Sequence, residues 1–231
     1  GIGAAVARQS AARGYDVVVN YTRDAQAAEA VAADVRAAGR RALVVQADVA
    51  DDAAVAAMFA RIDAELGPLG GLVNNAGIVA PKARLDEMDL ARWRRMFEVN
   101  VVGSLHCAQQ AVRRMSTRHG GAGGAIVNLA SICSVQAAPG LHYCVSKAGV
   151  DMLTKVAALD LIPHGIRVLA VGPGLTDTPM NRKAGIITDP ERLEAFLTNV
   201  PMHRVGTTQE IASAILFLAS EEASYMTGTT T

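Results

Sequence analysis

Five short apolar runs are the feature of this sequence that most restricts its fold. They lie at residues 17–19, 42–45, 72–73, 125–127 and 168–171. Each run is continuously apolar, which is typical of strands that helices cover on both faces of a parallel sheet. Segments with helical periodicity separate the runs, as crossovers between parallel strands require. The pattern predicts an α/β fold, a doubly wound parallel sheet sandwiched by helices.

Capping residues and helix breakers mark the ends of the predicted helices. Helices are predicted over residues 25–38, 51–66, 90–115, 143–161 and 211–219. Gly39 and Gly67 follow two of them, where glycine tolerates the left-handed backbone that closes a helix. Pro163 stops the fourth, and a capping box at 207–210 precedes the last. No linker or charge block divides the 231 residues, so we expect one domain.

The charge balance and the cysteine pattern exclude several classes of protein. With 22 basic and 22 acidic residues the formal net charge is zero, so the chain lacks the positive field that binds nucleic acids. The longest segment without Asp, Glu, Lys or Arg, residues 119–146, contains Asn, Gln and Pro and predicts no membrane span. We expect no signal peptide. Three cysteines without a CxxC pair predict reduced thiols in a cytoplasmic protein, and no disulfide or metal site.

A glycine turn opens the chain. Gly1, Ile2 and Gly3 are followed by an Ala-rich segment that ends near Gly14. In dinucleotide-binding folds such a turn precedes the first helix, whose free N–H groups and dipole hold pyrophosphate. A strand normally comes before this turn, so we expect that the first strand of the sheet is missing from the sequence.

Polar and small residues follow the next runs. Asp48 could accept a hydrogen bond from an adenine amino group, or could simply begin a helix. Asn75 to Gly77 could let the chain pass close to a ligand, or could be turn formers. Asn100 falls inside a predicted helix, where Asn is a poor helix former. A kink that presents its side chain to a water is our interpretation, and a tolerated surface residue is the alternative.

The strongest chemical signal is Ser131 with Tyr143 and Lys147. Tyr and Lys four residues apart share one helix face, so the ammonium is expected to lower the pKa of Tyr143 toward working pH. Ser131 directly follows a predicted strand, so both hydroxyls can converge on one oxygen. A lone Tyr-Lys pair is more often a core tyrosine with a solvated lysine. Here, however, Pro173 and Gly174 after the fifth run lie at the same sheet edge.

Together these motifs resemble the short-chain dehydrogenase/reductase family, in its compact single-domain branch, over the whole chain. The resemblance implies a catalytic tetrad of Asn100, Ser131, Tyr143 and Lys147. Ser131 would polarise the substrate oxygen and Tyr143 would be the general acid/base. Lys147 would bind the nicotinamide ribose, and Asn100 would hold a water that relays protons. Ser134 is a second candidate for the serine, and Ser131 is preferred because it directly follows the strand.

The resemblance also implies a nicotinamide cofactor along the strand ends. The predicted contacts are Gly1, Ile2, Gly3, Tyr21, Arg23, Asp48, Val49, Asn75, Ala76, Gly77, Tyr143, Lys147, Pro173, Gly174, Thr176 and Thr178. No acidic residue stands among residues 20–23 to repel a 2′-phosphate, and Arg23 and Tyr21 can bind one. We therefore expect NADP(H) to be preferred over NAD(H). The alternative is that Arg23 pairs with Asp24 or faces solvent. The family's usual final strand is expected to be missing as well.

The implied activity is hydride transfer between NAD(P)(H) and a carbonyl compound or secondary alcohol. The preferred substrate is a ketone or a 3-oxoacyl compound; a sugar or polyol dehydrogenase and a catalytically silent dinucleotide-binding sensor are alternatives. A substrate lid is expected over residues 175–205, whose apolar side chains indicate a hydrophobic substrate. Apolar residues on more than one face of helices 90–115 and 143–161 predict a homotetramer.

Overall fold

Five strands alternate with helices along the chain, and their pairings are parallel. A computed structural model describes residues 1–138 and 140–231. The strands are β1 (Val17–Tyr21), β2 (Ala42–Gln46), β3 (Gly71–Asn74), β4 (Gly124–Leu129) and β5 (Ile166–Val171). The helices are α1 (Ile2–Ala12), α2 (Ala25–Ala37), α3 (Asp52–Glu65), α4 (Leu90–Phe97), α5 (Gly103–Met115), α6 (Leu141–Leu161), α7 (Pro179–Lys183), α8 (Pro190–Leu197) and α9 (Thr208–Ala219). All five apolar runs lie in strands, which confirms the predicted fold class.

The strands pair in two groups. One group is β1 and β2, and the other has the order β3-β4-β5 with Ile126 opposite both Leu72 and Val168. Within residues 1–138 and 140–231 no strand pairs with both groups. The strand expected ahead of Gly1 stays a prediction.

Helices cover both faces of the sheet because its strands are apolar on both sides. Phe59 of α3, Met115 of α5 and Ile126 of β4 belong to one buried cluster. Leu169 of β5 and Ile215 of α9 belong to another, which also contains residues of α1. These five side chains are at most 2% exposed, and burying one of them stabilises the fold by about 1.5–3 kcal/mol. Both clusters hold helices firmly against the strands whose ends carry the site.

The helix predictions are confirmed, with one difference that bears on the site. The capping box of α9 is present, since the Thr207 amide donates to the Glu210 carboxylate at 2.8 Å and the Glu210 amide donates to Thr207 Oγ1 at 3.2 Å. The helix predicted over 90–115 is interrupted around Asn100, the position where the kink was predicted. A π-helical turn, Glu98–Val102, separates α4 from α5. The reason is local packing around Asn100, described below.

The segment 175–205 carries two short helices, α7 and α8. A bridge between Thr176 and Gly206 joins its two ends. Met180, Phe196 and Met202 are exposed on it. Its role as a substrate lid stays a prediction.

Candidate active site

The predicted site residues meet at one edge of the sheet because they follow the carboxyl ends of parallel strands. Arg23 follows β1, Asp48 follows β2, Asn75 follows β3, Ser131 follows β4 and Pro173 follows β5. Open α/β sheets bind their ligands at this edge.

Asn100 lies at the centre of the π-helical turn and is fully buried. Its Oδ1 accepts from the Ile78 amide at 2.8 Å, and its Nδ2 donates to the Ile78 carbonyl and to Ser146 Oγ, each at 3.1 Å. The predicted kink is therefore present, but both amide protons bind protein groups. Asn100 joins the loop after β3 to α6, and its role in holding a water stays a prediction.

Ser131 and Ser134 have different surroundings. The Ser131 hydroxyl lies near the Tyr143 phenol and acts to lower the pKa of that phenol, and its Oγ accepts from the Cys133 amide at 3.2 Å. Ser134 Oγ instead donates to the backbone carbonyl of Lys147 at 3.0 Å. Of the two serines, Ser131 is therefore the one placed to act together with Tyr143.

Lys147 lies beside Tyr143 and is only 5% exposed. Its Nζ donates to the Leu129 carbonyl at 2.5 Å and lies 5.8 Å from the centroid of the Tyr143 ring. The lysine is thus anchored to the end of β4, one turn of helix from the phenol. An ammonium has three donors, so two remain beyond the bond to Leu129.

Burial has the largest influence on the pKa values of Tyr143 and Lys147. It raises the pKa of the Tyr143 phenol, and the nearby Ser131 hydroxyl opposes this only in part. Burial also lowers the pKa of the Lys147 ammonium to about 8, which leaves it mainly protonated at neutral pH. The expected lowering of the Tyr143 pKa by Lys147 is wrong for this structure, because the ammonium is directed at the Leu129 carbonyl and burial outweighs other influences.

The glycine turn at the start of α1 leaves room for an anion. α1 has no side-chain cap and no acidic residue in its first turn, so its amides and the positive end of its dipole are available. A Cβ on Gly3 would lie 2.7 Å from Asn75 Nδ2, so a larger residue at this position would force the Asn75 side chain to move. The Ile2 side chain packs against the core, which leaves only its backbone to a ligand.

Gly77 lies next to both Asn100 and Lys147, and its lack of a side chain leaves space between them. A Cβ there would lie 3.5 Å from Asn100 Oδ1 and 3.6 Å from Lys147 Nζ. Together with Ala76, Gly77 forms small-residue backbone beside the ammonium. The free amides of α1, this small-residue loop and the two spare donors of Lys147 fit a nicotinamide dinucleotide.

Asp48 has a partner that the sequence did not predict. Arg95 of α4 forms an ion pair with Asp48, whose Oδ1 also accepts from the Ala50 amide at 3.1 Å. Burial alone would raise the pKa of Asp48, but these hydrogen bonds outweigh it and lower the pKa. The helix N-cap is Asp51, which rules out that role for Asp48. The Val49 side chain is buried, so only its backbone could meet a cofactor.

The residues after β1 are open to solvent. Asp24 caps α2 by accepting from the Ala27 amide at 2.9 Å, so it is not the partner of Arg23. Arg23 is exposed and forms no ion pair with any residue of the described chain, 1–138 and 140–231. Tyr21 is half-buried at the end of β1. Arg23 is therefore available to an anion.

The segment after β5 is held by hydrogen bonds to the turn after β4 and within itself. The Pro173 carbonyl accepts from the Ile132 amide at 3.1 Å, and Thr176 Oγ1 donates to the Gly174 carbonyl at 3.2 Å. Thr178 Oγ1 accepts from an α7 amide, so its hydroxyl proton is still available to a ligand.

The structure adds two residues that the sequence reasoning missed. Ser146 donates from its Oγ to the Tyr143 carbonyl at 2.8 Å and accepts from Asn100. Its place in the helix, three residues after Tyr143, is a spacing at which serine commonly bonds back to the backbone. No sequence signal indicated Arg95, because its partner lies on a distant element.

A family model described as enoyl-(acyl carrier protein) reductase matches residues 1–231. The chain belongs to the short-chain dehydrogenase/reductase family. It is 45% identical over 229 residues to cis-4-hydroxycyclohexanecarboxylate dehydrogenase from Sinomonas cyclohexanicum, covering 99% of this chain and 88% of the relative. It is 39% identical to 3-oxoacyl-[acyl-carrier-protein] reductase FabG from Staphylococcus aureus, covering 100% of this chain and 91% of that one.

A solved structure agrees with this membership. Gluconate 5-dehydrogenase from Burkholderia cenocepacia, in complex with NADP and tartrate, superposes with a TM-score of 0.91 at 32% identity, over 100% of this chain and 88% of that one. This short-chain dehydrogenase/reductase is therefore an NAD(P)-dependent oxidoreductase that acts on alcohols or carbonyl compounds.

Within the residues that the structure describes, two other kinds of feature are absent. No three His, Cys, Asp or Glu side chains are grouped so that they could hold a metal ion. The helices of the same residues include none that combines the length and the apolar character needed to cross a membrane.

Proposed function

We propose that this chain reduces a ketone with Tyr143 as the general acid and Ser131 as the group that orients the substrate oxygen. The observation that carries the proposal is the buried Lys147 ammonium, whose Nζ lies 5.8 Å from the centroid of the Tyr143 ring, at the end of the strand that Ser131 directly follows. Ser131 donates to the carbonyl oxygen, and Tyr143 transfers its phenolic proton to that oxygen as it becomes an alcohol. The raised pKa of Tyr143 keeps the phenol protonated at neutral pH, as an acid requires. A bound nicotinamide cofactor supplies the hydride.

The other predicted residues hold the cofactor in this proposal. Lys147 uses its spare donors for the ribose hydroxyls. The Gly1–Gly3 turn holds the pyrophosphate at the α1 N-terminus. Asp48 must share its carboxylate between Arg95 and the adenine. The backbone at 173–178 and the Thr178 hydroxyl meet the carboxamide.

Exposed apolar side chains on the segment 175–205, and Val135 four residues after Ser131, favour a hydrophobic substrate. Met180, Phe196 and Met202 are 37%, 43% and 70% exposed on the segment 175–205, and Val135, close to Ser131, is 78% exposed. A hydrophobic ketone or a 3-oxoacyl compound would cover these side chains, whereas a sugar or polyol would not. We propose that the segment 175–205 closes over such a substrate.

A substrate panel tests this assignment. Cyclohexanones, steroid ketones, 3-oxoacyl thioesters and keto-sugars would each be mixed with NADPH, and loss of absorbance at the nicotinamide band would be followed. We expect the highest kcat/KM among the apolar ketones or the thioesters. A clear preference for the keto-sugars would assign the polyol alternative. No turnover of any class, together with measurable cofactor binding, would support the silent sensor.

Cofactor preference and assembly are further parts of the proposal. The exposed Arg23, which forms no ion pair with any residue of 1–138 and 140–231, favours NADP(H). Leu105 of α5 and Met152, Val156 and Leu159 of α6 are 41%, 57%, 50% and 76% exposed. Exposed apolar residues on these two helices favour a homotetramer in which the helices pack against other copies. The three free thiols favour a reducing location such as the cytoplasm.

A further inference from the structure

Arg95 of α4 and Asp48 after β2 form an ion pair between elements that lie far apart in the sequence. The Arg95 guanidinium donates to one carboxylate oxygen, and the other accepts from the Ala50 amide at 3.1 Å. Both oxygens are therefore held within the chain, which fixes the direction of the carboxylate. Of residues 1–138 and 140–231, Arg95 is the one cation that forms an ion pair with Asp48. The pair lies at a predicted cofactor contact, so it bears on how the adenosine end of the cofactor binds.

Arg23 lies beside this pair because β1 and β2 are parallel and in register. Tyr21 is opposite Gln46 at the ends of these strands, and two further residues along each chain segment lead to Arg23 and Asp48. Gln46 Nε2 donates to the Thr22 carbonyl at 3.0 Å, so the two segments stay joined beyond the pairing. Neighbouring strands are about 4.8 Å apart, so the two charged residues leave the sheet edge as neighbours. Burial raises the pKa of Asp48, and the charge of Arg23 is among the influences that lower it.

Packing on both sides of the π-helical turn holds Arg95 in place. Arg95 precedes this turn and Gly103 follows it. A Cβ on Gly103 would lie 2.7 Å from Val49 Cγ2 and 2.9 Å from the Val49 carbonyl oxygen, so α5 begins in direct contact with the residue after Asp48. The segment after β2 is thus held at two neighbouring positions, one of them by Arg95. A Glu98 carboxylate oxygen lies 3.9 Å from the Arg95 guanidinium, too far for a hydrogen bond, so Asp48 is the principal partner.

We propose that Arg95 is a specificity-determining residue that acts through Asp48: its ion pair with the carboxylate prevents Asp48 from pairing with Arg23, and Arg23 remains available to the 2′-phosphate of NADP(H). If Arg95 were absent, the carboxylate would attract the guanidinium beside it, and its uncompensated charge would also repel the phosphate. Arg95 is thus a positioning residue that does not itself touch the phosphate. The proposal rests on the proposed preference for NADP(H) and adds a residue of α4 to the determinants of that preference.

The expected size of the effect follows from the exposure of the pair. The Arg95 and Asp48 side chains are 46% and 35% exposed, and solvent weakens ion pairs of this kind. Loss of Arg95 should therefore change the relative affinity for a 2′-phosphate by about two- to five-fold rather than abolish it. Added salt should reduce the effect, because exposed charges are screened.

Calorimetric titration with 2′,5′-ADP and 5′-AMP tests the proposal without turnover. The two nucleotides differ by the 2′-phosphate and both lack nicotinamide, so the Kd for 5′-AMP divided by that for 2′,5′-ADP measures recognition of this phosphate alone. The parent should bind 2′,5′-ADP more tightly, and Arg95→Met should reduce the ratio by about two- to five-fold. Arg95→Lys keeps a cation that can pair with Asp48 and should retain most of the ratio. Arg94→Met is the matched control, since Arg94 is exposed on the same helix.

A double variant separates this indirect role from a direct contact. In Asp48→Asn combined with Arg95→Met no carboxylate is left to pair with Arg23, so the ratio should return to that of the parent. An amide oxygen at position 48 can still accept from adenine, and any loss there affects both nucleotides alike. A ratio that stays low in the double variant would mean that Arg95 binds the phosphate itself or only supports α4, and it would overturn the proposal.

The titrations also separate this proposal from the proposed function. A parent that binds both nucleotides equally would contradict the preference for NADP(H), and the role of Arg95 would fall with it. A parent that prefers 2′,5′-ADP, with the same ratio in Arg95→Met, would leave that preference intact and overturn only the role of Arg95. The identity of the ketone and the role of Tyr143 influence neither result, because neither nucleotide can transfer a hydride.

Discussion

Asn100 donates a hydrogen bond to Ser146 at 3.1 Å, and both side chains are fully buried. Ser146 in turn donates to the Tyr143 carbonyl at 2.8 Å. The π-helical turn is thereby connected to the turn of α6 that presents the phenol. The position of Tyr143 thus depends on a residue pair that does not itself face the proposed substrate.

Replacing Ser146 with Ala should lower kcat more than it changes KM. The substitution leaves an amide proton of Asn100 without a partner, which costs about 1–3 kcal/mol of stability, and it frees the Tyr143 carbonyl. A small misplacement of an acid can cost about ten- to hundred-fold in rate. Steady-state kinetics and urea unfolding would measure both effects. Ser213→Ala, on exposed α9 surface, is the matched control; equal changes in kcat and KM for Ser146→Ala would argue against a positioning role.

Tyr143→Phe should lose about 10²–10⁴-fold in kcat, the usual contribution of general acid–base catalysis. The ring still fills its site, so cofactor affinity and stability should change little. Turnover, cofactor titration and thermal unfolding of the purified variant would be compared with the parent. Tyr225→Phe is the control, since Tyr225 is fully exposed. Activity within a few-fold of the parent would falsify the assignment of Tyr143.

The buried Lys147 should give the protein a distinctive dependence of stability on pH. Its pKa falls from the ordinary 10.5 to about 8 in the folded chain. Between these values the unfolded chain holds a proton that the folded chain has released, so the free energy of unfolding rises with pH, by up to about 3 kcal/mol in total. Below pH 8 both states are protonated and this dependence ends.

Lys147→Met removes the titrating group, so its stability relative to the parent should decline steadily between pH 8 and 10.5. Urea unfolding at several pH values in this window would show it. Lys82→Met, at an exposed position, is the control and should follow the parent. Parallel pH curves for Lys147→Met and the parent would mean that the ammonium is not destabilised by burial.

Features that depend on residues close together in the sequence could be predicted, and contacts between residues far apart in the sequence could not. The strands could be predicted because continuous apolar runs such as 168–171 are typical of buried strands. Tyr143 and Lys147 could be predicted because their spacing places them on one face of a single helix. The sequence did not predict the hydrogen bond from Lys147 to the Leu129 carbonyl or the ion pair between Arg95 and Asp48. These contacts depend on how α4 and α6 pack against strands far away in the sequence. The direction of the Tyr143 pKa shift was therefore missed as well, since it is set by burial.

An acidic residue on the exposed face of α6 should disrupt the proposed tetramer. Leu159 is 76% exposed in the single chain, and burying a glutamate at its position against another copy would leave an unpaired charge. Sedimentation velocity should show Leu159→Glu as a smaller species than the parent at the same concentration. Leu85→Glu is the control, because Leu85 is equally exposed at 78% but lies off α5 and α6. If the parent itself sediments as a monomer at micromolar concentration, the assembly proposal is wrong.

Arg23→Ala should reduce the preference for NADPH. A hydrogen bond to a charged group contributes about 1.5–3 kcal/mol, so kcat/KM for NADPH should fall ten-fold or more while that for NADH changes little. The difference should shrink with added salt, because Arg23 is exposed and its field is screened. Arg13→Ala is the matched control, since Arg13 is also exposed but lies at the far end of α1, away from Gly1. If the parent enzyme favours NADH, or if the Arg23 variant keeps the full kcat/KM for NADPH, the residues after β1 do not bind the 2′-phosphate.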